Sequence, residues 1–420
     1  MLLTTVKCPN KDHQLTHSSK HTKSSVNKTL TRIMSCLVVL TPFSVFAAST
    51  DESDDRGLSF DLISSYYYDD NVTRSQSGAI DAYVFSVRPE LGLRWGTRNS
   101  EFVVSLVNET AKYEGSSEDN YSDNYLNLSA DFALSSRHRL SFAAGLADAH
   151  QGRGQGFSTG VGNLEAEVDT FTQNDYGVRY RFGRDAAKAQ LGFYYNVQDV
   201  NFDARFDGVG NDITRDRDRQ NNTIGATLTY EIGAKTDLVV DINQTEFDYD
   251  VETGFGNTVD LLLVGIAWDA TSKTSGSIQV GSQSRDFTSG GSEDTSVWLL
   301  SLDWAPQSNS LVRLTSGKSS EASIGIGNSL DVTATSLSWE LDWNSRWSSS
   351  ISYSLEDTDF VGTSTTMDTK VLGFNVDFEY NDMLTARFFY NDADRDSNDL
   401  TNQLNYDQTI YGITLSFSWL

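Results

Sequence analysis

Residues Ile410–Leu420 read Ile-Tyr-Gly-Ile-Thr-Leu-Ser-Phe-Ser-Trp-Leu. Tyr411, Ile413, Leu415, Phe417 and Trp419 share one parity; Gly412, Thr414, Ser416 and Ser418 share the other. A β-strand points successive side chains to opposite faces, so this segment has one apolar, aromatic face and one small, polar face. A soluble sheet covers such an apolar face with a second layer of protein. In a transmembrane barrel lipid covers it, and the lumen receives the polar face. The rest of the chain selects between these two.

The same pattern recurs throughout. Tyr83, Phe85, Val87, Pro89, Leu91, Leu93 and Trp95 alternate with Ser86, Arg88, Glu90, Gly92 and Arg94. Tyr176, Val178, Tyr180 and Phe182 oppose Gly177, Arg179 and Arg181. Trp347, Ile351, Tyr353 and Leu355 oppose a row of serines, Ser348, Ser350, Ser352 and Ser354. Short polar turns are expected near 97–100, 135–138, 184–186, 234–235, 271–273, 307–309, 344–346 and 381–382, alternating with longer Gly/Asp/Asn/Ser-rich loops. Eight short turns separate nine hairpins, which predicts about 18 strands, 16 being the lower bound. Trp95, Trp268, Trp304, Trp343, Trp347 and Trp419 lie on the apolar parity within a few residues of a short turn or of the C-terminus. Aromatic girdles on the lipid side of a barrel produce that placement. Propellers and solenoids repeat a loop motif, and here only the alternation repeats. The expected fold is all-β, a transmembrane antiparallel up-and-down β-barrel over 57–420.

The start of the chain reads as an export signal. Lys7, Lys11, Lys20, Lys23, Lys28 and Arg32 precede an apolar run, 33–46, that ends in Val45-Phe46-Ala47-Ala48. Basic region, short apolar region and small-residue site together predict a cleaved signal peptide over 1–47, followed by a short acidic leader, 48–56. Both cysteines, Cys8 and Cys36, fall in the signal. The mature chain is therefore expected to lack disulfides, thiol nucleophiles and Cys metal sites. Taking the signal's six basic residues and one acid from 32 and 58 leaves a balance of −31. That charge argues against nucleic acid as a partner. No apolar run of about 18 residues follows the signal, so membrane helices are not expected.

Tyr67-Tyr68-Asp69-Asp70-Asn71-Val72, after the first strand, resembles the turn of the β-barrel porin type 2 family. The stretch Tyr176-Gly177-Val178-Arg179-Tyr180-Arg181-Phe182-Gly183, followed by Gln190-Leu191-Gly192-Phe193-Tyr194-Tyr195, and the closing strand also resemble it. The resemblance covers about 57–420. It implies an outer-membrane barrel and, through the family's association with capsule and exopolysaccharide synthesis, a role in polysaccharide export. Partners expected on this basis are outer-membrane lipid and lipopolysaccharide, the barrel-assembly machinery acting on the last strand, and a polysaccharide. The sequence departs from the usual assembly signal in ending on Leu420 after Trp419.

Catalytic chemistry is sparse. His138 and His150 read as isolated, at opposite strand ends, without a nucleophile–base arrangement. Asp203, Asp207, Asn211, Asp212, Asp216 and Asp218 form one acidic loop cluster, and Asp392, Asp394, Asp396 and Asp399 a second. Neither matches a calcium loop, and no metal or cofactor is expected. The polar parity is more informative. Arg88, Glu90, Arg94, Arg179, Arg181, Glu231, Asp241, Arg285, Asp303, Arg313, Glu340, Asp342, Glu356, Asp377, Glu379 and Arg387 are the candidate pore-lining residues. Either they tune the selectivity of a water-filled lumen, or they pair across it and stiffen the barrel. Bases cluster early and acids late, so opposite walls of opposite sign are expected. The expected function is a passive pore, with polysaccharide export as the role that the resemblance implies. A non-conducting adhesive barrel is the alternative, and an outer-membrane hydrolase using His138 or His150 comes last.

Overall fold

The computed structural model describes residues 56–419 except 207–208, 252–254, 272 and 402. The expected signal peptide, all but the last residue of the acidic leader, and Leu420 lie outside the described residues. Eighteen strands follow in order: β1 (Gly57–Asp69), β2 (Ala82–Thr97), β3 (Ser100–Glu114), β4 (Tyr121–Ala133), β5 (His138–Gln151) and β6 (Asp169–Phe182). Next come β7 (Ala189–Phe202), β8 (Arg219–Gly233), β9 (Thr236–Tyr249), β10 (Asn257–Thr271), β11 (Thr274–Phe287) and β12 (Ser292–Gln307). The last six are β13 (Ser310–Ala322), β14 (Ser329–Asp342), β15 (Trp347–Val361), β16 (Thr366–Asn381), β17 (Leu384–Ser397) and β18 (Tyr406–Trp419). Each pairs antiparallel with its sequence neighbours, and β1 closes on β18 from Phe60↔Trp419 to Asp69↔Ile410. The sheet is a closed, 18-stranded up-and-down barrel.

Local chemistry makes the short turns. Asn381 Oδ1 accepts from the backbone N–H of Met383 and Leu384 at 2.9 and 2.8 Å. Asn344 Oδ1 does the same for Arg346 and Trp347. These Asx turns reverse the chain within two or three residues and fix the hairpin register. Between them the alternating parity does what the sequence predicts. Leu91, Phe193, Ile224, Val280, Ile351 and Ile413 are exposed on the outside of the sheet. Exposed Trp95, Trp304, Trp343, Trp347 and Trp419 form a girdle at the short-turn end. Toward the long-loop end Tyr66, Tyr83 and Tyr411 are also exposed, and Tyr66 stacks on Tyr83 with ring centroids 6.0 Å apart. Two aromatic belts with apolar residues between them match the two interfaces of a bilayer.

The motif after β1 has a structural job. Asn71 Nδ2 donates to the carbonyls of Ser75 (2.9 Å) and Asp407 (2.8 Å). Gln408 Nε2 donates to both Asp69 carboxylate oxygens and to the Asn71 carbonyl, each at 3.0 Å. The Thr409 N–H donates to Asp70 Oδ1 at 2.7 Å. Asp69-Asp70-Asn71 thus clasps β1 to β18 at the long-loop end of the closing seam.

Two features depart from a plain cylinder. The first is the mouth at the long-loop end. The loop 152–168 crosses it, and loops from around the ring converge on it. Arg153 bonds Asp119 and Ser116 of the β3–β4 loop. Asn163 bonds Ser75 and Ser77 of the β1–β2 loop. The Arg217 guanidinium sits 4.7 Å from the Phe157 ring centroid. A Cβ on Gly325, in the β13–β14 loop, would lie 3.7 Å from Phe157 Cδ1. A Cβ on Gly160 would lie 2.9 Å from Leu404 Cδ2 of the β17–β18 loop. Strands β5 and β6 stand opposite β14 and β15 in an 18-membered ring, so this loop spans the opening. Beneath it, inward-facing residues at the strand tops form apolar seats: Leu330, Val332, Phe360 and Met367 with Leu404; Ala82, Val84 and Ala111; Ala149, Phe171 and Val200.

The second departure is a split in the wall. The β12–β13 ladder stops at Trp298↔Lys318, although β12 extends to Ser292 and β13 to Ala322. Over that stretch the β13–β14 hairpin has tilted inside the ring. Asp331, on the outward parity of β14, accepts from Thr295 on the inward face of β12 at 3.1 Å. Ser329 Oγ likewise bonds Glu293, again inward on β12.

Candidate functional site

All sixteen residues predicted to line a lumen lie on the parity opposite the exposed apolar side chains, on the inner face of the barrel. Their partners lie along the wall. Arg88 pairs with Glu90 (3.4 Å) and with Glu109 (3.7 Å), and Arg94 with Glu101 (3.3 Å). Arg313 bonds Asp303 at 2.8 Å and Arg387 bonds Asp377 at 2.6 Å, each on an adjacent strand. Asp241 accepts from the Tyr194 hydroxyl at 3.1 Å. Arg181 lies 3.3 Å from Asp185 in the following turn. These pairs join groups on the same strand, on neighbouring strands or, for Tyr194 and Asp241, across one intervening strand. None of these pairs crosses the lumen: cross-strand neighbours are about 5 Å apart, and the opposite wall is far beyond a side chain's reach.

Sign is distributed unevenly near the short-turn end. Arg139, Arg179 and Arg181 are close together on β5 and β6, where Arg139 and Arg181 are direct cross-strand partners. Glu340, Asp342 and Glu379 stand on β14 and β16, on the opposite side of the ring. Glu231 lies on β8, one strand from Asp237. Glu356 and Arg285 sit higher. Arg285 is 2 % exposed, donates to Asn257 Oδ1 at 2.6 Å and to the Ser320 carbonyl at 3.1 Å, and faces the Phe247 ring at 5.7 Å.

The loop contacts over the mouth are the part that sequence reading missed. Arg153 is the centre of its polar layer. Its Nε donates to Asp119 Oδ1 at 2.9 Å, Nη2 to Ser116 Oγ at 2.7 Å and Nη1 to the Glu165 carbonyl at 3.1 Å. The hydrogen-bonded Asp119 carboxylate raises the pKa of this guanidinium further. Arg217 and Arg205 hold Asp169 and Glu165 at 2.6 and 2.7 Å. The clustering of Arg153, Arg205 and Arg217 among Gly-rich loops was the available signal.

Two readings need correction. Asp392, Asp394 and Asp396 belong to β17 rather than to a loop, and only Asp399 follows the strand. Their spacing of two is strand periodicity with acids on the outer parity above the membrane band. His150 is also not isolated. Its Nδ1 lies 2.9 Å from Asp123 Oδ1 and its ring stacks on Tyr121, centroids 3.8 Å apart. A base with its orienting carboxylate is therefore present. The remaining expected histidine, His138, is bonded to the Tyr180 hydroxyl at 2.6 Å.

Comparison with known proteins agrees with this architecture. A solved Pseudomonas aeruginosa outer membrane protein, OpdK, is 12 % identical, with 86 % of this chain and 99 % of that one covered at a TM-score of 0.50. OccK3 (OpdO) of the same organism gives 12 %, 87 % and 96 % at 0.48. The siderophore receptor PirA of Acinetobacter baumannii gives 8 %, 87 % and 81 % at 0.47. No curated protein sequence matches the chain. The model of the family described as "Putative beta-barrel porin 2" matches residues 61–417. Closed barrel, lipid-side girdles, polar inner wall and family match agree, and the chain belongs to that family of bacterial outer-membrane porin-like barrels.

Proposed function

We propose that the barrel is a passive pore whose outer mouth is held shut at rest by its own loops, and that its cargo is an exported polysaccharide. The observation that carries the reading is the inner wall. Several of its charges, among them Arg88, Arg94, Arg313 and Arg387, pair with neighbours along the wall, and none of these pairs crosses the axis, which is left to a hydrated chain. Arg139, Arg179 and Arg181 face acids on the opposite side, and such a transverse field orients a polar polymer without binding it tightly. The resemblance to a family associated with capsule synthesis supplies the cargo class.

One observation favours a second reading. Loops that meet over apolar seats also describe a non-conducting barrel that works through its exterior. Planar-bilayer recording of the refolded protein separates the two. The pore reading expects rare openings that acidic polysaccharide shortens. A folded, heat-modifiable barrel that never conducts, with intact or loosened loops, refutes it.

A further inference from the structure

The split between β12 and β13 is placed and lined in a way that a structural defect does not require. On the outside, Val280 and Trp298 are the last apolar residues of β11 and β12; beyond them the outward positions are Ser282, Ser284, Asp294 and Ser296. The split therefore begins where the membrane's apolar layer ends and runs through the level of the lipid headgroups. The six residues Ser292–Val297 of β12 pair with β11 on one side and with no strand on the other.

The inward-tilted segment of β13 keeps its ladder to β14, but on its β12 side it is held by side chains alone. Gln283, two strands away on β11, donates from Nε2 to the Ser320 carbonyl at 2.7 Å and accepts the Ser320 N–H at 3.4 Å. Its carboxamide stands in for the missing peptide group of β12. Arg285 adds a second donor to the same carbonyl. Side-chain latches of this kind release far more readily than a continuous ladder, since each bond breaks singly.

The latch is also electrically incomplete. Among the described residues no carboxylate lies within ion-pair distance of the buried Arg285. Its Nε has no hydrogen-bond partner, and neither do the buried hydroxyls of Ser319 and Ser320 beside it. The nearest acids, its cross-strand partner Glu293 together with Glu321 and Asp331, act on it through space without forming an ion pair, and Glu293 and Asp331 are hydrogen-bonded to Ser329 and Thr295. A guanidinium taken out of water is normally matched by an anion, and a fork of N–H donors next to two hydroxyls is a donor set for carboxylate or phosphate.

We infer that the β12–β13 split is a lateral gate between the lumen and the headgroup layer, and that it admits a chain bearing carboxylate or phosphate, with Arg285 as counter-charge. On release of the latch, the Ser320 carbonyl leaves Arg285 and the anion takes its place. The gate does not depend on conduction along the axis, so a barrel that fails to conduct leaves this inference standing.

The described residues contain no cysteine, so engineered pairs report cleanly. The test uses the whole folded protein in neutral phosphatidylcholine nanodiscs. Thr295→Cys with Asp331→Cys bridges the tilted hairpin to β12. Ser296→Cys with Ser320→Cys sits at positions that would be direct partners if the β12–β13 register continued. Paired strands hold Cα atoms about 4.5–5.5 Å apart, within disulfide reach. The first pair is expected to oxidise quickly and the second at least about tenfold more slowly. Quantitative bridging of the second pair at the rate of the first means the wall is zipped, and overturns the gate. Oligogalacturonate is then added. Binding is expected in the parent, weaker in Arg285→Lys, which keeps the charge but loses the donor fork, and weakest in Arg285→Gln, by more than about tenfold relative to the parent. It is expected to disappear when the Thr295→Cys/Asp331→Cys bridge is closed and to return with dithiothreitol. Slower bridging with soluble oligogalacturonate marks a soluble chain as the occupant; slower bridging in phosphatidylglycerol discs without it marks a lipid headgroup. Equal binding by parent and Arg285→Gln, or bridging that neither anion slows, overturns the anion assignment.

Discussion

Arg153→Ala tests whether the loops over the mouth act as a lid. Arg153 is 5 % exposed and its partner Asp119 4 %. Removing the guanidinium deletes four hydrogen bonds, two of them to Asp119, and leaves a buried carboxylate without its counter-ion. Breaking a buried pair on one side costs about 3–5 kcal/mol. Asp119 belongs to the β3–β4 loop and Arg153 to the crossing loop, so the loss falls on their mutual docking. At about 1.4 kcal/mol per decade, the population of undocked loop should rise roughly 100- to 3,000-fold. Thr73→Cys is the reporter. Thr73 is fully buried under the crossing loop and its hydroxyl has no partner, so the exchange sacrifices no hydrogen bond. Its maleimide labelling rate is measured in vesicles with Arg153 present and with Arg153→Ala. The rate should rise by at least about 100-fold while the barrel keeps its heat-modifiable migration. A rate unchanged within about twofold would refute the lid, because the loop would then be held without its polar centre.

Other expectations follow from parity, backbone contact and charge. Leu415 is 49 % exposed toward lipid and Ser416 faces inward. Leu415→Arg should cost about 2–4 kcal/mol in urea unfolding from vesicles and Ser416→Arg less than about 1; equal costs would contradict the assigned faces. A Cβ on Gly281 would lie 1.7 Å from the Leu262 carbonyl, so Gly281→Ala should cost about 1–3 kcal/mol or abolish refolding, whereas wild-type refolding yield would show that β10 and β11 separate easily. The Thr214 N–H holds the Asp212 carboxyl below its ordinary value of 3.8. A depressed folded value adds stability above the unfolded pKa that is lost as pH falls through the folded one. Hydrogen-exchange protection of the Thr214 amide, corrected for intrinsic rate, should hold from neutral pH down to 3.8 and fall only below it. Loss of protection well above that value would show that the carboxylate is not what orders this loop.

Strands, turns and the facing of side chains were legible because they are local. Alternation in Tyr83–Trp95 or Trp347–Leu355 needs only the period of two, and Asn344 and Asn381 announce their turns in place. The mouth was not legible, since loops have no period and its contacts join distant loops: Arg153 with Asp119, Phe157 with Arg217, Gly160 with Leu404. Asp392, Asp394 and Asp396 misled because acidity suggested a loop while their spacing already spelled a strand. His150 and Asp123 meet just beyond the last paired residues of β4 and β5, Asn124↔Asp148, where no sequence spacing announces the contact. The split in the wall was hidden for a related reason. Ser319 and Ser320 continue an ordinary strand pattern, and nothing near them in sequence names Gln283 as their partner.

The clasp at Asp69-Asp70-Asn71 bears on how the molecule comes into being. It joins residues 339 apart in sequence, at the long-loop end of the closing seam. None of its bonds to Asp407, Gln408 or Thr409 can form until all sixteen intervening strands stand in order. The motif therefore contributes nothing to early, local folding and everything to the last step, when a long open sheet with two raw edges becomes a ring. A chain altered at Asn71 or Gln408 should synthesise and insert its hairpins normally and then stall as an unclosed sheet, exposed to proteases in the periplasm. Such a motif would be retained even where no solute ever touches it, because what it secures is completion.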